Sequence, residues 1–286
     1  MDIRQYKVSP NKPFNLKDYK TSENEKQNNS NIRENIIPDL TKRLEALHLK
    51  LHADEKNGII VVLQALDAAG KDEVISYIFS NLSAQGLKTT SFGKPNETEQ
   101  KHDYLWRYNE GLPERGQIGI FNRSYYEDVL APRIHKTLED HEMPKDKNDD
   151  SIWQTRYRQI NDFERYLTEN GFEVIKFFFN MSKDEQRKRL LERMTNKEKN
   201  WEFSFNDVKE REHWDEYQEI FAEMLEATST EHSPWYILPA DDEWHTRRIV
   251  TEVMINKIDQ LNPKFPEISP ENQEKLDEYI QKLKKD

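Results

Sequence analysis

A doubly wound α/β fold, with five parallel strands between two layers of helices, is the class this sequence predicts, and three observations carry it. The stretch Gly58-Ile59-Ile60-Val61-Val62-Leu63 is apolar without alternation, as a strand covered on both faces requires. Four further strand-like runs, near 87–92, 117–122, 172–179 and 235–239, are separated by segments of helical periodicity. Gly70-Lys71 closes the turn after the first strand and opens a helical pattern, the strand–turn–helix order from which parallel crossovers are built.

Residues 1–30 are polar and rich in Pro, Asn and Lys, and read as an N-terminal arm ordered only by packing on the body or on another subunit. Ile36, Ile37, Leu40, Leu44, Leu47, Leu49 and Leu51 recur near helical spacing, which predicts an amphipathic helix over 31–55 ahead of the first strand. Further helices are expected over 71–84, 98–109, 124–134, 151–170, 183–194, 206–228 and 243–261. The charged segment 136–150 reads as an exposed insertion loop, and the C-terminal polar tail 263–286 as a solvated helix or a subunit-contact arm. The expected organisation is one catalytic domain over 31–262 that includes a helical lid at about 183–211, with no internal repeat.

Composition narrows the function classes. The 286 residues, 35% hydrophobic, can bury one sizeable core, and no apolar run reaches membrane-spanning length. The chain has no cysteine, which excludes a disulfide framework and thiolate-bound zinc, and MDIRQYKVSPNK lacks a signal-peptide core; the cytoplasm is the expected compartment. A net charge of −11 disfavours nucleic acid and acidic membrane as partners, so the places where Lys and Arg do gather are informative.

The turn Ala65-Leu66-Asp67-Ala68-Ala69-Gly70-Lys71-Asp72 has the parts of a phosphate cradle: backbone N–H groups, a lysine ammonium and the positive end of the following helix. Ala65 stands where the usual phosphate loop has its first Gly, and Asp72 where Ser or Thr would meet magnesium. The plainer alternative is a strand-to-helix turn with a solvated lysine. Asp67 is the unusual residue, because a carboxylate inside an anion site repels phosphate unless a metal bridges them or the carboxylate orients an attacking phosphate oxygen.

Two more segments add charge. The strand ending Ile118-Gly119-Ile120-Phe121-Asn122 delivers Asn122, Arg123 and Glu127 to the carboxyl edge of the sheet, where open α/β proteins bind ligands. Arg123 can fork onto phosphate oxygens; the alternative is an ion pair with Glu127 four residues on. With Asn122 in place of an acid, metal binding leans on Asp67, with Glu127 or Asp128 directly or through water. Segment 183–211 is basic in an acidic chain: Arg189 and Arg193 share one helix face, Leu190, Leu191 and Met194 make the expected packing side, and Lys197 and Lys199 follow in a helix break. Such a segment suits a lid over a migrating phosphoryl group, or else a solvated face with Glu partners. His102, His213, His232 and His245 read as structural hydrogen-bonding residues, and Trp201, Trp214, Trp235 and Trp244 as core and lid packing.

These segments resemble the polyphosphate kinase 2 family over roughly residues 12–262, in the strings QALDAAGKD, TSFGKPNETEQKHDYLWR, IGIFNRSYYEDVL, EKNWEFSFNDVKEREHWDEY and ATSTEHSPWYILPADDEWHTR. The resemblance implies a P-loop kinase-like three-layer fold, and Mg2+-dependent, direct transfer of the terminal phosphoryl group of inorganic polyphosphate to purine nucleotides, with Mn2+ as a substitute. Asn122 matches the subgroup acting on both nucleoside mono- and diphosphates. By this resemblance Asp67 orients the accepting phosphate and contacts the metal, Lys71 bridges polyphosphate and nucleotide, Arg123 and Arg193 neutralise the transferring group, and Asn122 and Glu127 set nucleotide phosphate and metal. Ala68, Ala69, Gly70 and Asp72 complete the cradle; Lys94, His102, Arg107, Arg133, Arg189, Lys197 and Lys199 are candidates for the polyanion path. Glu73 departs from the family, which often carries Gly there. A homodimer or homotetramer is implied. Two other readings stay open at this point: a nucleotide kinase using ATP, and a catalytically weak polyphosphate- or nucleotide-binding module.

Overall fold

Every residue of the central strand β1 (Gly58–Gln64) is buried in the computed structural model, which describes residues 1–23, 29–138 and 151–285. Its neighbours are β2 (Leu87–Ser91), β3 (Ile118–Asn122), β4 (Phe172–Asn180) and β5 (Trp235–Pro239), in the order β2-β3-β1-β4-β5. All four pairings are parallel. The five strand positions expected from the sequence are those observed.

The unbroken apolar run of β1 has a simple cause. Ile59, Val61 and Leu63 point into one core with α1 (Ile37–Asp54), α2 (Lys71–Ile78) and the helix that follows β5, while Ile60 and Val62 point into a second core on the opposite face. That second layer contains α5 (Glu127–His135), α6 (Ile152–Glu169) and α9 (Trp214–Thr228). Between β2 and β3 lie the short helices α3 (Glu97–Gln100) and α4 (Trp106–Gly111); between β4 and α9 come α7 (Lys183–Thr195) and α8 (Phe205–Glu212). The chain then forms α10 (Glu243–Leu261) and α11 (Pro270–Leu283), and a π-helical turn, Ile32–Ile36, leads into α1.

Several helices differ from expectation. The helix expected over 98–109 is two, because a capping box between Asn96 and Glu99 starts the first and Asp103, accepting from the Leu105 amide at 3.0 Å, starts the second. The helix expected over 206–228 breaks at His213, and the one over 124–134 begins only at Glu127, after a turn in which the Glu127 amide donates to the Ser124 carbonyl. Helix α2 ends at Ile78 and tightens into a 3₁₀ turn, Phe79–Asn81. Most of the expected loop 136–150 falls on 139–150, outside the described residues.

The N-terminal arm packs on the body: Tyr6, Val8 and Leu16 are buried, Lys7 bridges antiparallel to Tyr236, and the Val8 amide donates to the Trp235 carbonyl at 2.9 Å. Of the three apolar residues expected to form the packing side of α7, Leu190 is buried while Leu191 and Met194 are exposed. Trp214 and Trp235 are buried, and Trp244 packs edge-on against Tyr77, with the Arg247 guanidinium over both rings. Trp201 departs from the packing role expected of it, at 81% exposed on the turn after α7.

Candidate active site

Parallel register sets the site. Leu63 of β1 pairs with Asn122 of β3, so both chains leave the sheet at the same edge and the Arg123 amide donates to the Leu63 carbonyl at 3.3 Å. The turn after β1 then carries positive φ at Ala68 (67°) and Gly70 (99°), and the turn after β3 carries it at Arg123 (64°). Ala65, which replaces the usual glycine, avoids the left-handed region. Non-glycine residues held at positive φ on two adjacent turns mark a locally strained, over-determined backbone, the kind found at binding sites.

These turns enclose a cavity of about 260 Å3, lined by residues 67–73, by 91–93 after β2, by Asn122 and Arg123, and by Arg193 of α7. Arg123 Nη2 donates to Asp67 Oδ1 at 2.5 Å, so its direct partner is Asp67 rather than the Glu127 suggested by sequence spacing. Burial opposes ionisation of Asp67, but Lys71, Arg123 and Arg193 outweigh it and hold the carboxyl below its ordinary range. Lys71 is buried, with Nζ donating to the carbonyls of Ala65 and Leu66 at 3.2 Å each; burial pushes its ammonium down against the pull of Asp67. Asn122 donates to Asp72 Oδ1 at 2.6 Å, which ties the end of β3 to the first turn of α2.

Glu127 does not line the cavity. It accepts from Gln64 Nε2 at 2.7 Å behind Arg123 and Lys71, where burial raises its carboxyl above the usual value despite both cations. Asp128 points the other way, accepting from Tyr108 Oη at 2.7 Å with Arg107 3.8 Å away.

The remaining expected residues divide by position. Arg189 and Gln186 of α7 grip the phosphate-type turn from behind, donating to the carbonyls of Ala68 and Asp67 at 3.2 Å each, and Arg189 also reaches the Ala240 carbonyl at 2.7 Å. One helical turn further on, Arg193 enters the cavity and pairs with Glu202 at 3.3 Å. Lys94 is exposed beside Gly93, Lys197 is exposed after α7, and Lys199 pairs with Glu192 at 2.7 Å. Arg107 is turned inward, donating to the Gly93 carbonyl and to Tyr108 Oη at 2.7 Å each. Arg133 binds Glu223 at 2.6 Å and fastens α5 to α9. His102 Nδ1 donates to the Thr98 carbonyl at 2.8 Å, and the ring stacks on Trp106.

Sequence reasoning missed Asp207 and Gln186. Asp207, on α8, is buried; burial and the Asp67 carboxylate raise its carboxyl while Arg193 opposes them, so α8 lies against the site. Neither residue stands out in sequence, because only the docking of α7 and α8 on the turn gives them a role.

The described residues contain no cluster of three or more His, Asp or Glu able to hold a metal by themselves. The cavity lining nevertheless carries three cationic side chains (Lys71, Arg123, Arg193) and three anionic ones (Asp67, Asp72, Glu73). Its side-chain charge therefore sums to zero, and phosphate groups entering it bring an excess of negative charge. That donor set fits a hard cation held by one or two carboxylates together with ligand oxygens and water.

A family model described as Polyphosphate kinase 2 (PPK2) matches residues 23–266. The chain is 43% identical over 252 residues to an ADP-polyphosphate phosphotransferase of Rhodopseudomonas palustris, covering 87% of each protein. It is 38% identical over 266 residues to an AMP/ADP-polyphosphate phosphotransferase of Meiothermus ruber, covering 93% of this chain and 96% of the relative. Among solved structures, polyphosphate kinase 2 of Arthrobacter aurescens TC1 superposes with a TM-score of 0.85 at 31% identity, over 95% of this chain and 94% of that one.

Proposed function

The chain belongs to the polyphosphate kinase 2 family, and from that premise we propose that the cavity at residues 67–73 transfers phosphoryl groups from polyphosphate to both nucleoside mono- and diphosphates. The chain is a phosphotransferase acting between polyphosphate and nucleotides. The convergence of Asp67, Lys71, Arg123 and Arg193 on one cavity is the observation that carries the assignment of roles.

Phosphoryl transfer through a loose transition state asks for alignment and charge compensation more than for covalent help. Lys71 and the backbone of 68–71 hold one phosphate at the start of α2. Asp67, kept ionised and fixed by Arg123, orients the accepting phosphate oxygen. Arg123 meets the migrating group from the sheet side and Arg193 from the lid side. Glu127 acts from behind, holding Arg123 and Lys71 in place through its field and through Gln64. Magnesium, with manganese as a substitute, fits Asp67 and the phosphate oxygens and supplies the charge that the neutral lining lacks. Transfer is direct, with no phosphoenzyme.

Acceptance of AMP rests on Asn122 and on the name of the Meiothermus ruber relative, while the Rhodopseudomonas palustris relative is named for ADP alone. We assign the protein to the cytoplasm, where nucleotide pools are held, and to a homodimer or homotetramer. The test is nucleotide formation from AMP and from ADP with long-chain polyphosphate, magnesium and no ATP, repeated with a chelator. Products from both acceptors that vanish on chelation support the proposal. Reaction of ADP alone removes the monophosphate assignment; reaction only when ATP replaces polyphosphate removes the polyphosphate reading.

A further inference from the structure

Arg193 is gripped at both ends by the turn that follows its own helix. At the backbone end, Asn200 Nδ2 donates to the carbonyls of Arg193 and Met194 at 2.7 and 2.8 Å, satisfying two acceptors that the last turn of α7 leaves without an intrahelical partner. At the side-chain end, Glu202 stands 3.3 Å from Arg193 Nε. The span between folds back tightly: the Lys199 amide donates to the Asn196 carbonyl at 2.9 Å, the Glu202 amide donates to the Lys199 carbonyl at 3.0 Å, and Lys199 Nζ returns to Glu192 at 2.7 Å. Glu202 is therefore carried to the guanidinium by a turn anchored on Arg193 itself.

Stability is a poor reason for this pair. Arg193 lines the cavity, whereas Glu202, 31% exposed, stands outside the lining. A partly exposed ion pair contributes little to folding, and a carboxylate beside a cavity for phosphate groups weakens their attraction. Its use lies in what it does to Arg193. Asp67 and Asp207 also lie in the field of that guanidinium, but among the described residues only Glu202 makes an ion pair with it. Asp67 is already bonded by Arg123. A guanidinium that swung onto Asp67 would leave the migrating group and neutralise the carboxylate that orients the acceptor. Resting on the reading of this cavity given above, we infer that Glu202 is a positioning residue: it holds Arg193 by Nε, away from Asp67, so that the guanidinium stands over the phosphoryl group in transfer.

The test is a double-mutant cycle in the full chain, comparing the parent with Glu202→Gln, Arg193→Ala and the double variant by kcat, by KM for each substrate and by melting temperature. Glu202→Gln is expected to lower kcat about 10- to 100-fold, the scale on which a misplaced contact to the reacting group is felt. The KM for polyphosphate is expected to stay or fall, because a repelling charge is gone, and the melting temperature to stay. In the Arg193→Ala background the same change is expected to cost nothing further in kcat. An unchanged or raised kcat for Glu202→Gln, an equal fall in both backgrounds, or a lowered melting temperature with kcat retained overturns the inference. The cycle is run on the donor that the parent accepts. A parent that uses ATP in place of polyphosphate thus removes the polyphosphate reading and still tests Glu202; a parent inactive with either donor removes both.

Discussion

Arg123 and Asp67, 56 residues apart in the chain, meet at 2.5 Å across the mouth of the sheet. One leaves β3 in a left-handed turn and the other leaves β1, so the contact exists only because the two strands are register-matched neighbours. Replacing Asp67 by Asn keeps the shape and removes the charge. Turnover is expected to fall by about 10³-fold, the scale of losing a positioned group that acts on the reacting centre, while polyphosphate binds at least as tightly because a repelling carboxylate is gone. Steady-state rates and equilibrium polyphosphate binding check this together; activity within tenfold of the parent contradicts the role given to Asp67.

Gly70→Ala separates strain from space. A methyl group there finds only ordinary contacts, the nearest being Arg189 Nη1 at 3.5 Å, so sterics between side chains do not forbid it. The φ of 99° does. A loss of about 1–3 kcal/mol in unfolding free energy is expected. The alternative outcome is a relaxed turn that keeps stability but turns its N–H groups from the phosphate, seen as a raised KM for polyphosphate. A variant unchanged in both respects contradicts the conformational requirement.

Glu127→Gln predicts a pH dependence of stability. Burial raises the Glu127 carboxyl above its unfolded value, so the protonated form is the one the fold favours. In acid, below the unfolded value, the group is neutral in both states and carries no penalty. As pH rises through the raised folded value, ionisation costs folding energy, and the cost persists at neutral pH. Glutamine still accepts from Gln64 and never ionises. The melting temperature of the variant relative to the parent is therefore expected to increase from acid to neutral pH, even as turnover drops; a difference independent of pH contradicts it.

Arg107→Ala tells structure from polyanion binding. The guanidinium supports the Gly93 carbonyl and Tyr108, and through Tyr108 the buried Asp128. Its removal leaves these groups short of partners, a loss of about 2–4 kcal/mol for buried charged hydrogen bonds. Thermal unfolding should register that loss, with the KM for polyphosphate unchanged in the folded protein. A raised KM at full stability would return Arg107 to the polyanion path.

Much of the architecture could be read in the residues. Strands β1 and β4 show as apolar runs because both of their faces are covered, and helix α10 spans the expected 243–261 because its apolar positions follow one helical period. The break at His213 and the split at 101–105 were not legible, since capping and turn contacts decided them against continuous helical patterns. At the site, Lys71 and Gly70 announce themselves by type. The partner of Arg123 does not, because spacing along one helix suggested Glu127 while strand order placed Asp67 nearer. Positive φ at Ala68 and Arg123 leaves no trace in residue type, as neither residue favours it. Trp201 looked like packing and is exposed, because a large ring signals burial only where a neighbouring element covers it.

The bridge between Lys7 and Tyr236 and the bond from Val8 to Trp235 close one margin of the sheet with the protein's own N-terminal arm. Strand β5 is wholly buried and apolar, WYILP, and its outer backbone would otherwise stand as an open template for a strand from another molecule. The arm thus covers an edge that would invite pairing with another molecule, and removing residues 1–8 is expected to raise the tendency to edge-to-edge association. The opposite margin, β2, needs no such guard: its sequence LKTTS is short, polar and carries a lysine.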